Sequence, residues 1–418
     1  MIATLAMLAI IAGCAAYLFL KGTLTQGIAM IFNVVIAGFL AFGFFEMAAR
    51  YLVKYSPGMA PWAHVICFLL ILVLAFALLQ TVVMQLSVKE KVDFGKLPEQ
   101  IGRLVAGVIL GYLVTGYLLV AAAMGPLPNQ YPYPRFNERG PNPASPTKLL
   151  LSPDGFVTGL FATVSKGSLS AISNPRSFAL LHAGYLDQLY LNRHKAADKV
   201  SLSTTAPAIE VQGKNSVWYA PENLRDAEGK PLSGQAGTSL LLVRAGIRRS
   251  AMRDTSKFTL SQMRLVCAPK GVSKNLLGGT GEAVYPVGYI GANGRLERKS
   301  LVEILTADSP DTQTDAITMD IAFYVPTSLT PVLLEFKRNN VAQLPAPATG
   351  EDAPQPIPFG APAPPQAAPQ PQAPAPEPQA PASQPQAPTP PRSPDNQKKG
   401  RGLSDFSRSV VGDGVQEN

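Results

Sequence analysis

Apolar positions follow two regimes along the chain, continuous runs near the N-terminus and strict alternation in the second half. Residues 1–20 carry no charge, and after Lys21 a second apolar run over residues 27–49 holds only Glu46. A third run, residues 63–86, has His64 at its edge and Gln80 and Gln85 inside; a fourth, residues 101–124, has Arg103 at its mouth. A bilayer core about 30 Å thick takes about 20 helical residues. Each run meets that length, and polar stretches at 21–26, 50–61 and 87–100 separate them. The pattern predicts four membrane-spanning helices, with the lipid bilayer as first partner.

Past Met124, seven prolines between Pro126 and Pro146 predict an extended linker over residues 125–150. Ser152-Pro153 reads as a helix start, with Phe156, Leu160, Phe161 and Val164 along one face, and Asn174-Pro175 as a second, with Phe178, Leu181, Tyr185 and Leu189 at helical spacing. From about Thr204 the period changes to two. Ile317, Met319, Ile321, Phe323 and Val325 share one strand face, against Thr318, Asp320, Ala322 and Tyr324 on the other. Further strands are expected at 241–247, 258–267, 283–290 and 332–336, separated by Gly, Pro and Asn clusters. From residue 345 on, proline mixes with Ala and Gln, a composition that samples polyproline II and cannot bury a core. The expected organisation is thus a four-span part (1–124), a linker (125–150), a helical segment (151–200), a β-rich domain (201–342) and a disordered tail (343–418). In fold class this is a membrane all-α four-helix bundle, then an α+β region ending in an antiparallel β-sandwich.

Composition narrows the function. Apolar residues make up 47% of the chain and charged residues 15%, too few for an ordinary soluble enzyme. The net charge of +8 is spread thinly, with no basic block suited to nucleic acid. Three cysteines, Cys14, Cys67 and Cys267, lie at no metal or redox spacing. Ile11-Ala12-Gly13-Cys14 has the look of a lipoprotein cleavage box, but no basic residue precedes the apolar run, so Cys14 reads as an ordinary helix residue. The positive-inside count leans by one charge. Lys21, Lys89, Lys91, Lys96 and Arg103 on one side exceed Arg50, Lys54, Arg135 and Arg139 on the other, which places the C-terminal bulk outside the cytoplasm.

The turn Lys21-Gly22-Thr23-Leu24-Thr25-Gln26 and the spaced glycines Gly102, Gly107 and Gly111 of the fourth run carry a resemblance. The membrane part resembles the colicin V production protein family (CvpA), four-span proteins of bacterial inner membranes. Lys21 stands where arginine is common and Gln26 where glutamate is expected. The resemblance implies a role in colicin V (toxin) production or export, or in envelope maintenance, and leaves the biochemical activity open. With no enzyme signature in the residues, a non-enzymatic role with membrane or envelope proteins as partners is the expectation. Gly107-x-x-x-Gly111, and Gly102 with Ala106 one step earlier, would allow close helix approach, within the chain or in a homo-oligomer. Phe258-Thr259-Leu260 to Leu265, Tyr285-Pro286, Phe323-Tyr324-Val325-Pro326 and Leu333-Leu334-Glu335-Phe336 are similar to immunoglobulin-like domains found outside bacterial membranes.

Candidate chemistry is sparse. Asn33, Glu46, His64, Gln80 and Gln85 are the groups an intramembrane polar path would use. Glu46 and His64 flank the turn bearing Arg50 and Lys54, and interfacial contacts with that turn are the expectation. Arg193-His194-Lys195 reads as a helix C-terminal cap. Gly278-Gly279-Thr280-Gly281 lacks the Lys-Ser/Thr ending of a phosphate loop and reads as a hairpin loop, and Arg248, Arg249 and Arg253 read as a solvated loop. No enzyme, cofactor or metal signature emerges. Two further readings stay open, a transporter or channel component and a membrane-anchored module that binds an envelope ligand.

Overall fold

The computed structural model describes residues 2–87, 95–166, 177–211, 213–232, 234–252, 256–271, 279–307, 315–349 and 352–359. Its first part holds four helices long and apolar enough to cross a membrane: α1 (Ile2–Lys21), α2 (Leu24–Tyr55), α3 (Ala63–Ser87) and α4 (Lys96–Met124). Lys89 and Lys91 lie outside the described residues.

Small residues set how closely these helices approach. A Cβ on Gly107 would lie 2.4 Å from the Ala15 Cα, and one on Gly111 would lie 2.6 Å from the Ile11 Cα. One on Gly27 would lie 2.9 Å from the Ala106 Cβ, one on Gly102 2.7 Å from a Leu24 methyl group, and Gly38 faces the Tyr117 ring. At the turn after α1, Gly22 is buried against Leu18, while Lys21 is exposed and Gln26 half-buried. Thr23 caps α2 by accepting from the Gln26 N–H at 3.2 Å, and Glu99 of α4 accepts from the Leu24 N–H at 2.9 Å.

Three shorter helices follow, α5 (Pro153–Ser165), α6 (Phe178–Leu181) and α7 (Tyr185–Asn192). The helix expected from Phe178 to Leu189 is thus two, because Gly184 adopts the left-handed conformation (φ +61°) between them; Asn174-Pro175 lies outside the described residues. These helices share one core with the apolar four. Val157, Phe161, Tyr185 and Leu189 cluster with Phe42, Phe45, Phe68 and Tyr117, and Phe42 stacks on Phe161 at 5.1 Å. The proline-rich stretch before them is also packed, with Tyr133, Arg135 and Phe136 buried. It forms no helix, as its prolines predict, and is packed against the rest of the structure.

The β-rich part contains antiparallel sheets. Its strands are β1 (Ile209–Glu210), β2 (Val217–Tyr219), β3 (Thr238–Arg248), β4 (Lys257–Thr259), β5 (Met263–Pro269), β6 (Glu282–Val284), β7 (Gly288–Ile290), β8 (Leu296–Arg298), β9 (Ile304–Thr306), β10 (Ala316–Pro326), β11 (Leu329–Phe336) and β12 (Asn340–Gln343). One sheet runs β1-β3-β10-β7-β8 with β2 also on β3, a second β12-β11-β5-β6, and β4 pairs with β9. The strand expected at 258–267 is interrupted by a 3₁₀ turn, Leu260–Gln262, which a Thr259/Gln262 capping box fixes. The one expected at 283–290 breaks at Tyr285-Pro286 into β6 and β7, which join different sheets.

Strand β10 has the two faces expected and both are buried. Ile317, Met319, Ile321, Phe323 and Val325 enter the main core, and Thr318, Asp320, Ala322 and Tyr324 are buried too. Residues 352–359 cover that second face. The Ile357 N–H donates to Asp320 at 2.7 Å, Arg244 bonds Asp320 twice at 2.8 Å and donates to the Gln355 carbonyl, and Phe359 packs on Tyr289 and Phe258. The ordered β-rich part therefore extends to Phe359, past the expected boundary at residue 342; the remaining tail lies outside the described residues.

The glycine contacts yield a direct expectation. Gly107→Leu should drive a side chain into the α1 backbone and cost about 1–3 kcal/mol, as overpacking does. Gly43→Leu, whose Cβ would meet nothing within 4 Å, should be neutral. Thermal unfolding in detergent measures both.

Candidate functional site

The last turns of α2, the first turn of α3, the α6–α7 break and the β11–β12 hairpin meet around a cleft of about 620 Å³. Helical spacing puts Glu46, Arg50 and Lys54 on one stripe of α2, and His64 faces them from α3. The hairpin delivers Arg338. Lys337 (φ +46°) and Arg338 (φ +51°) both take left-handed backbone, which costs non-glycine residues about 1–3 kcal/mol each and persists only where surroundings enforce it.

The α6–α7 break places His182 against α2. His182 Nε2 lies 2.8 Å from Glu46 Oε1, and its Nδ1 faces Gln188 Oε1 at 3.2 Å. Both ring nitrogens thus meet acceptors, the arrangement that suits an imidazolium. Burial works most strongly against that charge, but the charge and hydrogen bond of Glu46 together with the charge of Glu335 raise the His182 pKa on balance. The chain of contacts continues. Gln188 Nε2 donates to Glu335, Glu335 Oε2 pairs with Arg264 Nε at 2.5 Å, and Arg264 donates to the carbonyls of Ala183 and Leu181. Burial pushes the Glu335 carboxyl up while Arg264 opposes the shift. A buried polar line therefore links the long apolar helix α2 to strands β5 and β11.

The cleft itself is cationic. Arg338, 8% exposed, donates from Nη1 to the Met124 carbonyl at 2.6 Å, while its Nε has no partner. Burial lowers its pKa to about 10, which still leaves it charged at neutral pH. The His64 Nδ1 is buried and equally without a partner. Among the described residues, no carboxylate lies within ion-pair distance of Arg50 or Lys54, and Glu46 is neutralised by His182. Behind the hairpin tip, the fully buried Lys337 donates to Ser201 Oγ at 2.7 Å and the Lys257 carbonyl at 2.9 Å, and burial lowers its pKa to about 7.

The residues expected to form a polar path separate into three places. Asn33 Nδ2 donates to Gln80 Oε1 at 3.0 Å between α2 and α3, Gln85 is exposed, and Glu46 and His64 line the cleft. Rings of Phe42, Phe45 and Phe68 pack together on the same helices, between the pair and the cleft. Glu46 reaches across to His182 instead of back to the Arg50–Lys54 turn. Arg193 is the C-cap of α7, its backbone N–H donating to the Leu189 carbonyl, and its side chain also donates to the Ala122 carbonyl in the last turn of α4 and lies over the Tyr190 ring. The glycine-rich loop joins antiparallel β5 and β6 and docks on α6, with the Gly281 N–H donating to the Ala179 carbonyl; Gly278 lies outside the described residues. Arg248 pairs with Glu210 at 2.7 Å, and Arg253 lies outside the described residues. The three cysteines are free.

Sequence reasoning passed over Arg264, Glu335, Lys337 and Arg338. Two signals were present: a glutamate within the apolar run Leu333-Leu334-Glu335-Phe336, which must find a buried partner, and a turn-type Asn339-Asn340 pair behind two cations. No family model, curated protein or solved structure matches this chain.

The buried polar line makes two expectations. Arg264→Met strands Glu335 and should destabilise by about 3–5 kcal/mol, whereas the Arg264→Met/Glu335→Leu pair should recover much of that loss in denaturation measurements. Lys337 titrates near 7 when folded and near about 10.4 when unfolded, so the unfolded chain binds the extra proton between those values. Stability should then rise with pH across that window. Lys337→Met should melt higher than the parent at pH 6–7, and the gap should close toward pH 10.

Proposed function

We propose that this chain is a multi-pass membrane protein, a four-helix bundle carrying a two-sheet sandwich outside the cytoplasm, that binds an anionic ligand in the interfacial cleft without transforming it. The observation that carries this reading is Arg338, a buried arginine with an unpartnered Nε at a cleft shared with His64, Arg50 and Lys54. A phosphate or carboxylate offers acceptors to all four groups, and a guanidinium matches it with a planar fork. Aromatic residues Tyr51, Tyr55, Trp62 and Tyr131 are exposed around the same end of the helices, the position such side chains take at a membrane surface. The ligand is then a lipid headgroup or a soluble anion arriving at that surface.

Transport is the less favoured reading, since aromatic rings separate Asn33 and Gln80 from Glu46. The CvpA resemblance would extend the proposed role to toxin production or envelope maintenance; its support is the turn at residues 21–26 and the α4 glycines. The outward orientation rests on the loop charges.

The test is binding to the full-length protein, with inorganic phosphate in detergent and with phosphatidylglycerol in nanodiscs as separate arms. Saturable binding in either arm, weakened about 10–100-fold by Arg338→Met, is the expected result, because hydrogen bonds to charged groups contribute about 1.5–3 kcal/mol. Equal affinity in the parent, Arg338→Met and Arg50→Gln/Lys54→Gln would reject the cleft as the binding site.

A further inference from the structure

Residues 148–166 combine three features that a water-exposed connection does not need. Between Lys148 and Lys166 the only charge is Asp154, and it is buried, accepting a hydrogen bond from the Tyr133 hydroxyl at 2.5 Å. The exposed positions include Leu150 (58%), Leu151 (69%) and Phe156 (48%). The depth of this segment along α4 can be read from its contacts. Tyr112 donates to the Leu151 carbonyl at 2.9 Å, the Phe156 ring lies 5.5 Å from the Tyr112 ring, and a Cβ on Gly116 would lie 2.5 Å from the Pro153 carbonyl.

Helix α1 calibrates that depth. Lys21 marks one surface at its C-terminal end, and the roughly 20 residues that a bilayer core takes bring the other surface level with Ile2. Ile11 faces Gly111, while Ile2 and Ala3 share a small apolar pocket with Leu119 and Tyr131. The bilayer surface on the β-rich side therefore falls near Leu119. Tyr112 lies seven residues below, about 10 Å at 1.5 Å per residue, and Leu151 is at its level.

We infer that residues 148–166 form a re-entrant element, in which Leu150, Leu151 and Phe156 contact lipid acyl chains of the leaflet on the β-rich side. The stretch is too short to cross and return as two full helices, and it turns back at Leu151 (φ +58°) and Ser152 (φ +40°). Irregular backbone at membrane depth requires its polar groups to be satisfied by protein. Here the turn supplies this itself: the Ser152 N–H donates to the Leu149 carbonyl, the Phe156 N–H to the Ser152 carbonyl, and Tyr112 covers the Leu151 carbonyl. Lys148 and Lys166, both exposed, bracket the segment where long cationic side chains reach the headgroups. The lipid-facing surface of α4, with Val105, Val108 and Ile109 exposed, continues the same apolar belt.

The test uses the full chain in phosphatidylglycerol-containing nanodiscs, with nitroxide labels on single cysteines introduced at Leu151, Lys148, Leu74 and Lys214, and an unsubstituted sample as background. Oxygen should relax the label at Leu151 several-fold more than a water-soluble nickel chelate does, as at the lipid-facing Leu74. Labels at Lys148 and Lys214 should show the reverse preference. A Leu151 label as accessible to the chelate as Lys214, with Leu74 still protected, would overturn the inference while leaving the four spans intact. A water-accessible Leu74 would overturn both. A second measurement avoids labels. Leu151→Trp should add fluorescence that lipids brominated in mid-chain quench relative to the parent, and no added quenching would also overturn the inference.

Discussion

The ion pair between Glu46 and His182 is the constraint from which the rest of the structure follows. A carboxylate on a helix that crosses hydrocarbon is costly unless a partner meets it there. None of the other three long helices supplies the partner; the break between α6 and α7 does. To reach Glu46, the helical segment after the proline-rich stretch must enter the apolar helices, which is why Phe161 and Tyr185 share a core with Phe42 and Tyr117. Once His182 is fixed, its second nitrogen fixes Gln188, and Gln188 fixes Glu335 on β11. The position of the β-rich part is thus set by satisfying one buried charge.

The C-terminal end of α4 adds a second tie. The last carbonyls of a helix have no partners within it and carry the negative end of its dipole. Arg193 covers Ala122 and Arg338 covers Met124. One arginine comes from α7 and the other from the β11–β12 hairpin, so both later parts of the chain hold the same helix end. The left-handed backbone at Lys337 and Arg338 is what lets the hairpin tip project there. Strain in two residues and the burial of Lys337 accompany this docking, and the Arg338 Nε is left without a partner.

The four apolar helices and strands β3, β10 and β11 were legible because burial imposes a period that the residues obey. Ile317 to Val325 alternate as a strand should, and the runs at 27–49 and 101–124 have membrane length. What the pattern could not carry was the second burial of the same residues. Asp320 reads as outward-facing, yet Arg244 and the 352–359 segment enclose it. Likewise Phe178 to Leu189 has helical spacing throughout, and only Gly184 hints that the helix breaks to present His182. The cleft was half legible. Glu46, His64, Arg50 and Lys54 stood out by position, while Arg338 comes from nearly 300 residues away, a distance across which no periodicity reaches.

The electrostatics of the cleft restrict what can occupy it. Arg50, Lys54 and Arg338 contribute three positive charges, while Glu46 and His182 cancel. The C-termini of α2 and α4 each oppose with about half an elementary charge, and the N-terminus of α3 at His64 returns about the same amount. The balance stays positive after these three helix ends are counted. A cation would meet repulsion from three sides, and an apolar group would leave the Arg338 Nε and the His64 Nδ1 unsatisfied at a cost of about 1–3 kcal/mol each. An anion with several acceptor oxygens is the occupant that this charge balance favours. Because Arg50 and Lys54 are exposed beside Tyr51 and Tyr55, such an anion can enter from the membrane surface without opening the apolar core.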